Sequence, residues 1–533
     1  VADSEQFDTV IVGAGSAGCV LAERLSADPR RRVALLEAGG PDRNPWLHVP
    51  GGFFRIMDDP RVDWRYTMAP ARALDGRILP CPRGRVLGGS SSINGLVYIR
   101  GQQQDFEQWR QLGCTGWGWD DVLPHFRREF DQVRGADELH GTGGPLKVAD
   151  LREDHPLARA MVDAAVEAGL ERNEDFNSAR QDGAGLYQLT ARGRWRSSAA
   201  RAYLRQARRR PNLRLLIHAT ATRVLLEGSR AVGIAYERDG ETATVRAGVV
   251  ILALGAIASP QLLQLSGIGP AAHLAAHGIA VAHDLPGVGA NLQDHVLSRL
   301  VHRVRDPITY NDVLRSPWRR LAAGLDYALR GRGPLTVGAG QMGAFARTRE
   351  GLATPDVQYH GFPVSFDKPG RVPHPFPGVT LNCYQLRPES RGSVLIESPD
   401  PYAQPAIDPN FLDTETDRAT LIAGLRLGRR IMAAPAIAPL LDSEVLPGPE
   451  TESDADWLAH IRARGASAYH PVGTCKMGTD AMAVVGPDLK VHGIERLRIA
   501  DGSIMPTLVS GNTNAACIMI GARAAEIVLE KAA

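Results

Sequence analysis

Several common signals are missing from this chain, and each absence removes a class of function. The six cysteines, Cys19, Cys81, Cys114, Cys383, Cys475 and Cys517, form no C-x-x-C pair and follow no regular spacing. A disulfide framework and a zinc-type metal site are therefore not expected, and a reducing cytoplasmic setting is. No stretch approaches the ~18 consecutive apolar residues of a membrane span, and no charged segment followed by an apolar one marks an export signal. With a formal net charge of +2, the chain lacks the basic excess that binding a phosphate backbone requires, so nucleic acid is excluded as a partner. What positive charge there is comes almost wholly from arginine, and its runs at Arg30 to Arg32 and Arg208 to Arg210 read as solvated faces. Neither G-x-S-x-G nor H-E-x-x-H occurs, which removes the common hydrolase and zinc-protease readings. At 533 residues the chain is too long for one hydrophobic core, and two domains, interleaved in sequence, are expected.

The first forty residues carry a clear pattern. Phe7 to Val12 reads as a buried strand, Gly13-Ala14-Gly15-Ser16-Ala17-Gly18 follows, Cys19 to Leu25 has helical spacing, and Val33 to Leu36 is a second strand ending at Glu37. Strand, G-x-G-x-x-G, helix, strand and acid in that order form a dinucleotide-binding fingerprint. Gly13 permits the tight turn, Gly15 lets the backbone approach a pyrophosphate, and Gly18 lets helix and strand pack closely. Ser16 and Ala17 open the helix whose N–H groups face the phosphate, and Glu37 accepts from a ribose hydroxyl. FAD and NAD share this fingerprint, so it does not choose between them.

Later segments make the choice, because together they resemble the glucose-methanol-choline (GMC) flavoprotein oxidoreductases over nearly the whole chain. Arg83-Gly84-Arg85-Val86-Leu87-Gly88-Gly89-Ser90-Ser91-Ser92-Ile93-Asn94-Gly95 is similar to that family's first signature, and residues 255–269, from Gly255 to Gly269, match its second. Pro286 to His295 resembles the connection leaving the flavin domain, and Leu497 to Pro506 the strand and turn beside the flavin. The resemblance implies FAD, with Gly88, Ser92, Asn94, Gly95, Asp501 and Asn514 as contacts. The backbone at Val224, in a shorter match at Arg223-Val224-Leu225, would meet the adenine. Some members carry the flavin covalently on a histidine of the first signature; by eye that place is Ile93, so FAD is expected to be non-covalent. Ser259-Pro260 is a plausible N-cap and N1 pair for a helix running to Leu265.

The segment Tyr469-His470-Pro471-Val472-Gly473-Thr474 resembles the family's catalytic-histidine segment. An alcohol carbon gives up hydride only as its oxygen loses a proton, and histidine titrates in the range where it can take that proton. His470 is thus the expected base. In Ser510-Gly511-Asn512-Thr513-Asn514 the partner position is assigned to Asn514, which would hold the substrate oxygen for hydride transfer to flavin N5, while Asn512 is read as a turn residue. Both asparagines could instead only cap the helix that runs to about Leu529.

The resemblance implies an α/β fold: a Rossmann-like FAD-binding domain from 1–155, 195–300 and 465–533, and an α+β substrate domain on an antiparallel sheet from 156–194 and 301–464. Val379 to Leu386 and Ser393 to Glu397 read as strands flanking a turn in that second sheet. Choline enzymes, aligned by eye, place a glutamate where this chain has Gln341, so an uncharged primary alcohol oxidised to an aldehyde is expected, with oxygen or a quinone as electron acceptor. The pattern lies closest to bacterial FAD-dependent primary alcohol dehydrogenases and choline dehydrogenase-like proteins. Choline dehydrogenase itself and the family's lyases, which cleave cyanohydrins or decarboxylate fatty acids under light, stand as alternatives. Finally, Leu314, Trp318, Leu321, Leu325 and Leu329 make one helical stripe bordered by Arg315, Arg319, Arg320 and Arg330. Such a stripe either packs on the second domain or lies on the inner face of an anionic membrane as a peripheral contact.

Overall fold

A computed structural model describes residues 5–367 and 372–530. The N-terminal pattern folds as its sequence dictates. Gln6–Val12 is the central strand β1, Ser16–Leu25 is α1, and Val33–Glu37 is β2, with every side chain of β2 buried. Strands buried on both faces are built from continuous apolar runs, and these two are parallel neighbours. Leu213–Ile217 (β4) adds in parallel beyond β2. On the other side of β1 lies the long strand β7, Glu241–Leu252. Its first half pairs antiparallel with β6, Arg230–Arg238, which in turn pairs with β5, Ala219–Glu227; its last residues pair in parallel with β14, Leu497–Ile499. The result is one seven-stranded sheet drawing strands from both ends of the chain.

A second seven-stranded sheet is wholly antiparallel, in the order β12-β8-β11-β10-β9-β3, with β13 also on β8. These strands are Gly183–Leu186 (β3), Val296–Val304 (β8), Met342–Ala346 (β9), Val357–Phe362 (β10), Gly378–Gln385 (β11), Leu441–Leu446 (β12) and Ala466–Ser467 (β13). Each sheet has its own hydrophobic core. Helix α4, Glu415–Met432, covers one face of the second sheet; a Cβ at Gly424 would meet Cys383 Sγ at 2.6 Å, so the contact depends on glycine. The opposite face looks into a cavity.

Four local expectations differ from the structure. The helix after β7 is α2, Gly255–Leu265, so Ser259 and Pro260 lie inside it and not at its start. Ser259 instead donates its hydroxyl to Asp501, at 2.7 Å. Ser393–Leu395 does not join β11 but pairs with Ala406–Asp408 in a separate ribbon. The boundary drawn at residue 300 cuts through β8, all of which belongs to the second sheet. The expected stripe is divided by Ser316 into two helices, Tyr310–Arg315 and α3, Pro317–Arg330. Its apolar side chains do not pack on the second domain: Trp318 and Leu329 are 80% and 79% exposed.

Candidate active site

One cavity runs from the glycine-rich turn after β1 to the inner face of the second sheet. At its first end lie Gly13, Gly15, Ser16, Ala17 and Glu37. Gly13 adopts φ 99°, and a Cβ there would meet the Ala253 carbonyl oxygen at 2.6 Å. Gly15 caps α1 without any side-chain hydrogen bond, so the first-turn N–H groups face the cavity uncapped, as an anion site requires. Gly18 is off the cavity: a Cβ there would meet the Gly13 carbonyl oxygen at 1.9 Å, so it serves helix–strand packing. Glu37 accepts from the N–H groups of Ala14 at 2.9 Å and Gly39 at 2.8 Å, and burial raises its pKa to about 7. Its remaining lone pairs are free to accept from hydroxyls.

The loop at 83–95 crosses over this end. Gly89 approaches so closely that its Cβ would meet Gly15 Cα at 2.7 Å. Ile93, Asn94 and Gly95 line the cavity, while Gly88 and Ser92 do not. Gly88 donates its N–H to the Ala14 carbonyl and Ser92 its hydroxyl to the Leu87 carbonyl, so both shape the loop itself. Asn94 is held by the buried Arg196, whose Nη1 donates to Oδ1 at 2.7 Å. Asp501 lines the cavity too, but its carboxylate is occupied by Gly255 N–H, Ser259 Oγ and Ser503 N–H. Val224 stands apart; its N–H donates to Ser266 Oγ at 2.8 Å. Backbone-lined walls, an uncapped helix start and a buried carboxylate fit a dinucleotide.

His470 stands at the other end, where the tautomers follow from geometry. His295 Nε2 faces the Leu386 carbonyl at 3.0 Å, and a carbonyl only accepts, so that nitrogen carries the proton. Burial lowers the His295 pKa to about 4, which keeps the ring neutral and leaves Nδ1 as an acceptor. His470 Nδ1 lies 3.0 Å from it and must therefore donate. The lone pair of His470 is left on Nε2. Burial first, then His295, His360 and Arg83, holds the His470 pKa well below its usual value. Asp294 Oδ1 accepts the His470 N–H at 2.7 Å, so the adjacent pair Asp294-His295 grips backbone and ring together. Tyr469, just before the base, adopts φ 65°, a left-handed conformation uncommon for a bulky residue.

Asn512, read from sequence as a turn residue, is the side chain that reaches His470: its Nδ2 donates to Nε2 at 3.1 Å. Gln358 orients it, with Nε2 3.4 Å from Asn512 Oδ1. Asn514 also lines the cavity, but as the first residue of helix α5, Asn514–Glu530, it accepts from Ser16 Oγ at 2.8 Å. The asparagine beside His470 is thus Asn512, where sequence register had placed Asn514. Gln341 is also misplaced by the sequence reading. It is buried outside the cavity, donating to Tyr310 Oη and accepting the His155 N–H. Sequence reading missed His295, Gln358 and Arg299; the acidic neighbour of His295 was the one local signal for it.

Two family models described as GMC oxidoreductase match residues 7–297 and 388–521. The chain belongs to the GMC oxidoreductase family. It is 44% identical to an alcohol dehydrogenase [acceptor] of Pseudomonas putida, over 98% of this chain and 96% of the other. It is 42% identical to a mitochondrial choline dehydrogenase of Homo sapiens, over 98% and 90%. Among solved structures, this GMC oxidoreductase superposes on pyridoxine 4-oxidase from Mesorbium loti with a TM-score of 0.90 at 32% identity, covering 98% and 99% of the two chains. The two matched segments hold both ends of the cavity, and most of the second sheet lies between them.

Proposed function

We propose that this enzyme oxidises a primary alcohol to an aldehyde, with FAD bound non-covalently, His470 as the base and Asn512 as hydrogen-bond donor to the substrate oxygen. The observation that carries this reading is the chain from the Leu386 carbonyl through His295 to His470, which leaves a neutral lone pair on Nε2 beside Asn512. FAD, when bound, supplies the acceptor for the electron pair that leaves the carbon with its hydrogen. A hydroxyl that displaces the Asn512 amide from Nε2 donates its proton to that nitrogen and accepts from Asn512 Nδ2 in turn. As Nε2 takes the proton, the His470 Nδ1–H to His295 bond steadies the charged ring. Gly13, Gly15, Glu37 and the Gly89 loop hold the dinucleotide, and the aliphatic Ile93 offers it no point of attachment.

In this reading the alcohol carries no cationic group. Gln341 no longer supports that statement; the lining does, because Arg83 and Arg299 are the charged side chains beside the substrate end and no carboxylate faces it among the described residues. Choline turnover exceeding that of simple alcohols would overturn the exclusion.

His470→Ala tests the central assignment: FAD stays bound, and anaerobic flavin reduction by alcohols falls about 100-fold or more. Near-normal reduction by this variant removes His470 from the mechanism. Wild-type flavin that no alcohol bleaches would favour a lyase instead. Reoxidation timed with oxygen and with a soluble quinone identifies the acceptor.

The outward face of α3 is proposed to rest on an anionic membrane. Trp318, Leu321, Leu325 and Leu329 are exposed, and 314–332 holds five arginines against one acid, Asp326. Co-sedimentation with phosphatidylglycerol vesicles, lost in a Trp318→Ser, Arg319→Glu, Arg320→Glu variant, is expected. Equal sedimentation of that variant would discard the proposal.

A further inference from the structure

Among the described residues, Arg299 has no ion-pair partner. It lies on β8 opposite Asn382 of β11, and Asn382 lies opposite His360 of β10. All three line the cavity, so they form one row across three strands. With strands about 4.8 Å apart, Arg299 stands roughly 10 Å along that row from His360. His360 is one of the groups acting on His470.

The side chain is only 6% exposed, and its Nε is buried without a hydrogen bond. No ion pair reaches its guanidinium among the described residues. The titratable groups around it are Tyr469, Tyr384, Arg464, Arg77, His374 and His460, and burial lowers the pKa of both histidines, so neither supplies a negative charge. Neither tyrosine is an anion at neutral pH, and both arginines are engaged elsewhere: Arg77 donates to the carbonyls of Arg462 and Gly465, and Arg464 pairs with Asp367. A guanidinium keeps its proton in almost any setting, and an unpaired buried charge is costly. The fold therefore holds a cation with no counter-charge among the described residues, lining the space a substrate must fill. Beside it, Leu297, Phe362 and Tyr384 line the same space with mainly apolar surface.

We propose that Arg299 binds a carboxylate on the substrate, so that the alcohol oxidised here carries its acid group at the end remote from the reacting carbon. A carboxylate presents two oxygens in one plane, matching the guanidinium fork. The apolar lining between takes the chain that separates acid from alcohol. This inference rests on the reading of His470 as the reacting centre for the direction of the substrate, though not for the existence of the site.

The test uses the FAD-loaded full chain and two probes that are not alcohols and cannot reduce the flavin, octanoate and its neutral isostere octanamide, titrated by the perturbation they cause in the flavin absorbance. Octanoate is expected to bind more tightly. Arg299→Met should weaken octanoate about tenfold to a hundredfold and leave octanamide unchanged, while Arg299→Lys keeps part of the preference. In turnover, the preference for omega-hydroxyoctanoate over its methyl ester should disappear in Arg299→Met through KM, with kcat little altered. Octanoate binding no better than octanamide, or unaffected in both variants, overturns the proposal. Melting temperature and FAD content of both variants identify a folding defect, in which case the Lys variant decides. Failure of every alcohol to reduce the wild-type flavin would sink the His470 reading and leave the octanoate titration to judge Arg299.

Discussion

The two ends of the cavity are made of different material. At the nucleotide end the walls are backbone: Gly13 meets the Ala253 carbonyl and Gly89 meets Gly15 so closely that a side chain on either would collide. The residues that build this end sit in two compact runs, 13–18 and 83–95, plus Glu37. At the reacting end the walls are side chains, delivered by strands and loops far apart in sequence: His360, Arg299, Asn382, His470 and Asn512, with His295 buried behind His470. A backbone-built site tolerates almost no substitution and reads as a motif. A side-chain-built site can change its chemistry one residue at a time, which is how one family handles different alcohols on one frame.

Gly18→Ala probes the first kind of wall and should have the largest effect. Its Cβ would fall 1.9 Å from a backbone oxygen that cannot swing away, so no FAD should remain after gel filtration. Retention of a full complement of FAD would mean that α1 and β1 separate more easily than their packing implies.

The asparagines probe the second kind. Asn512→Ala should lower flavin reduction by an alcohol on the order of a hundredfold, the usual cost of losing one donor to the reacting oxygen. Asn514→Ala loses the bond to Ser16 and should cost far less. The reverse order would restore the assignment made from sequence register.

The smallest expected effect is on stability against pH, where buried histidines and buried carboxylates pull in opposite directions. Burial lowers the pKa of His295 to about 4 and of His360 to about 3, and that of His470 well below its usual value. These rings are neutral when folded and take a proton near pH 6.5 when unfolded. Their contribution is full above 6.5 and is lost as pH falls toward the folded values. Glu37, raised to about 7, behaves oppositely: the folded state holds its proton longer, so its contribution is present below the unfolded value and lost as pH rises toward 7. Asp294, raised to about 6 by burial, acts in the same direction as Glu37; the three histidines outnumber these two carboxyls, so the melting temperature should fall by a few degrees between pH 7 and pH 5. Glu37→Gln should steepen that fall. A melting temperature that rises on acidification would contradict the buried neutral histidines.

Sequence alone determined the dinucleotide end, because each part of it is local: a strand, a turn with φ available only to glycine, a helix start and an acid one strand later. It also singled out His470 and the apolar stripe around Trp318, since both belong to short runs with recognisable spacing. Only the tertiary structure decided which asparagine meets His470, because Asn512 and Asn514 share one loop and differ by the direction their side chains take at the start of α5. It likewise moved Gln341 out of the cavity and brought Arg299 in. Which face of a strand looks inward depends on register between β8, β11 and β10, which are joined by long connections. The partner of His470, the residue fixing its tautomer and the charge facing the substrate are all non-local pairings, and no run of neighbouring residues encodes them.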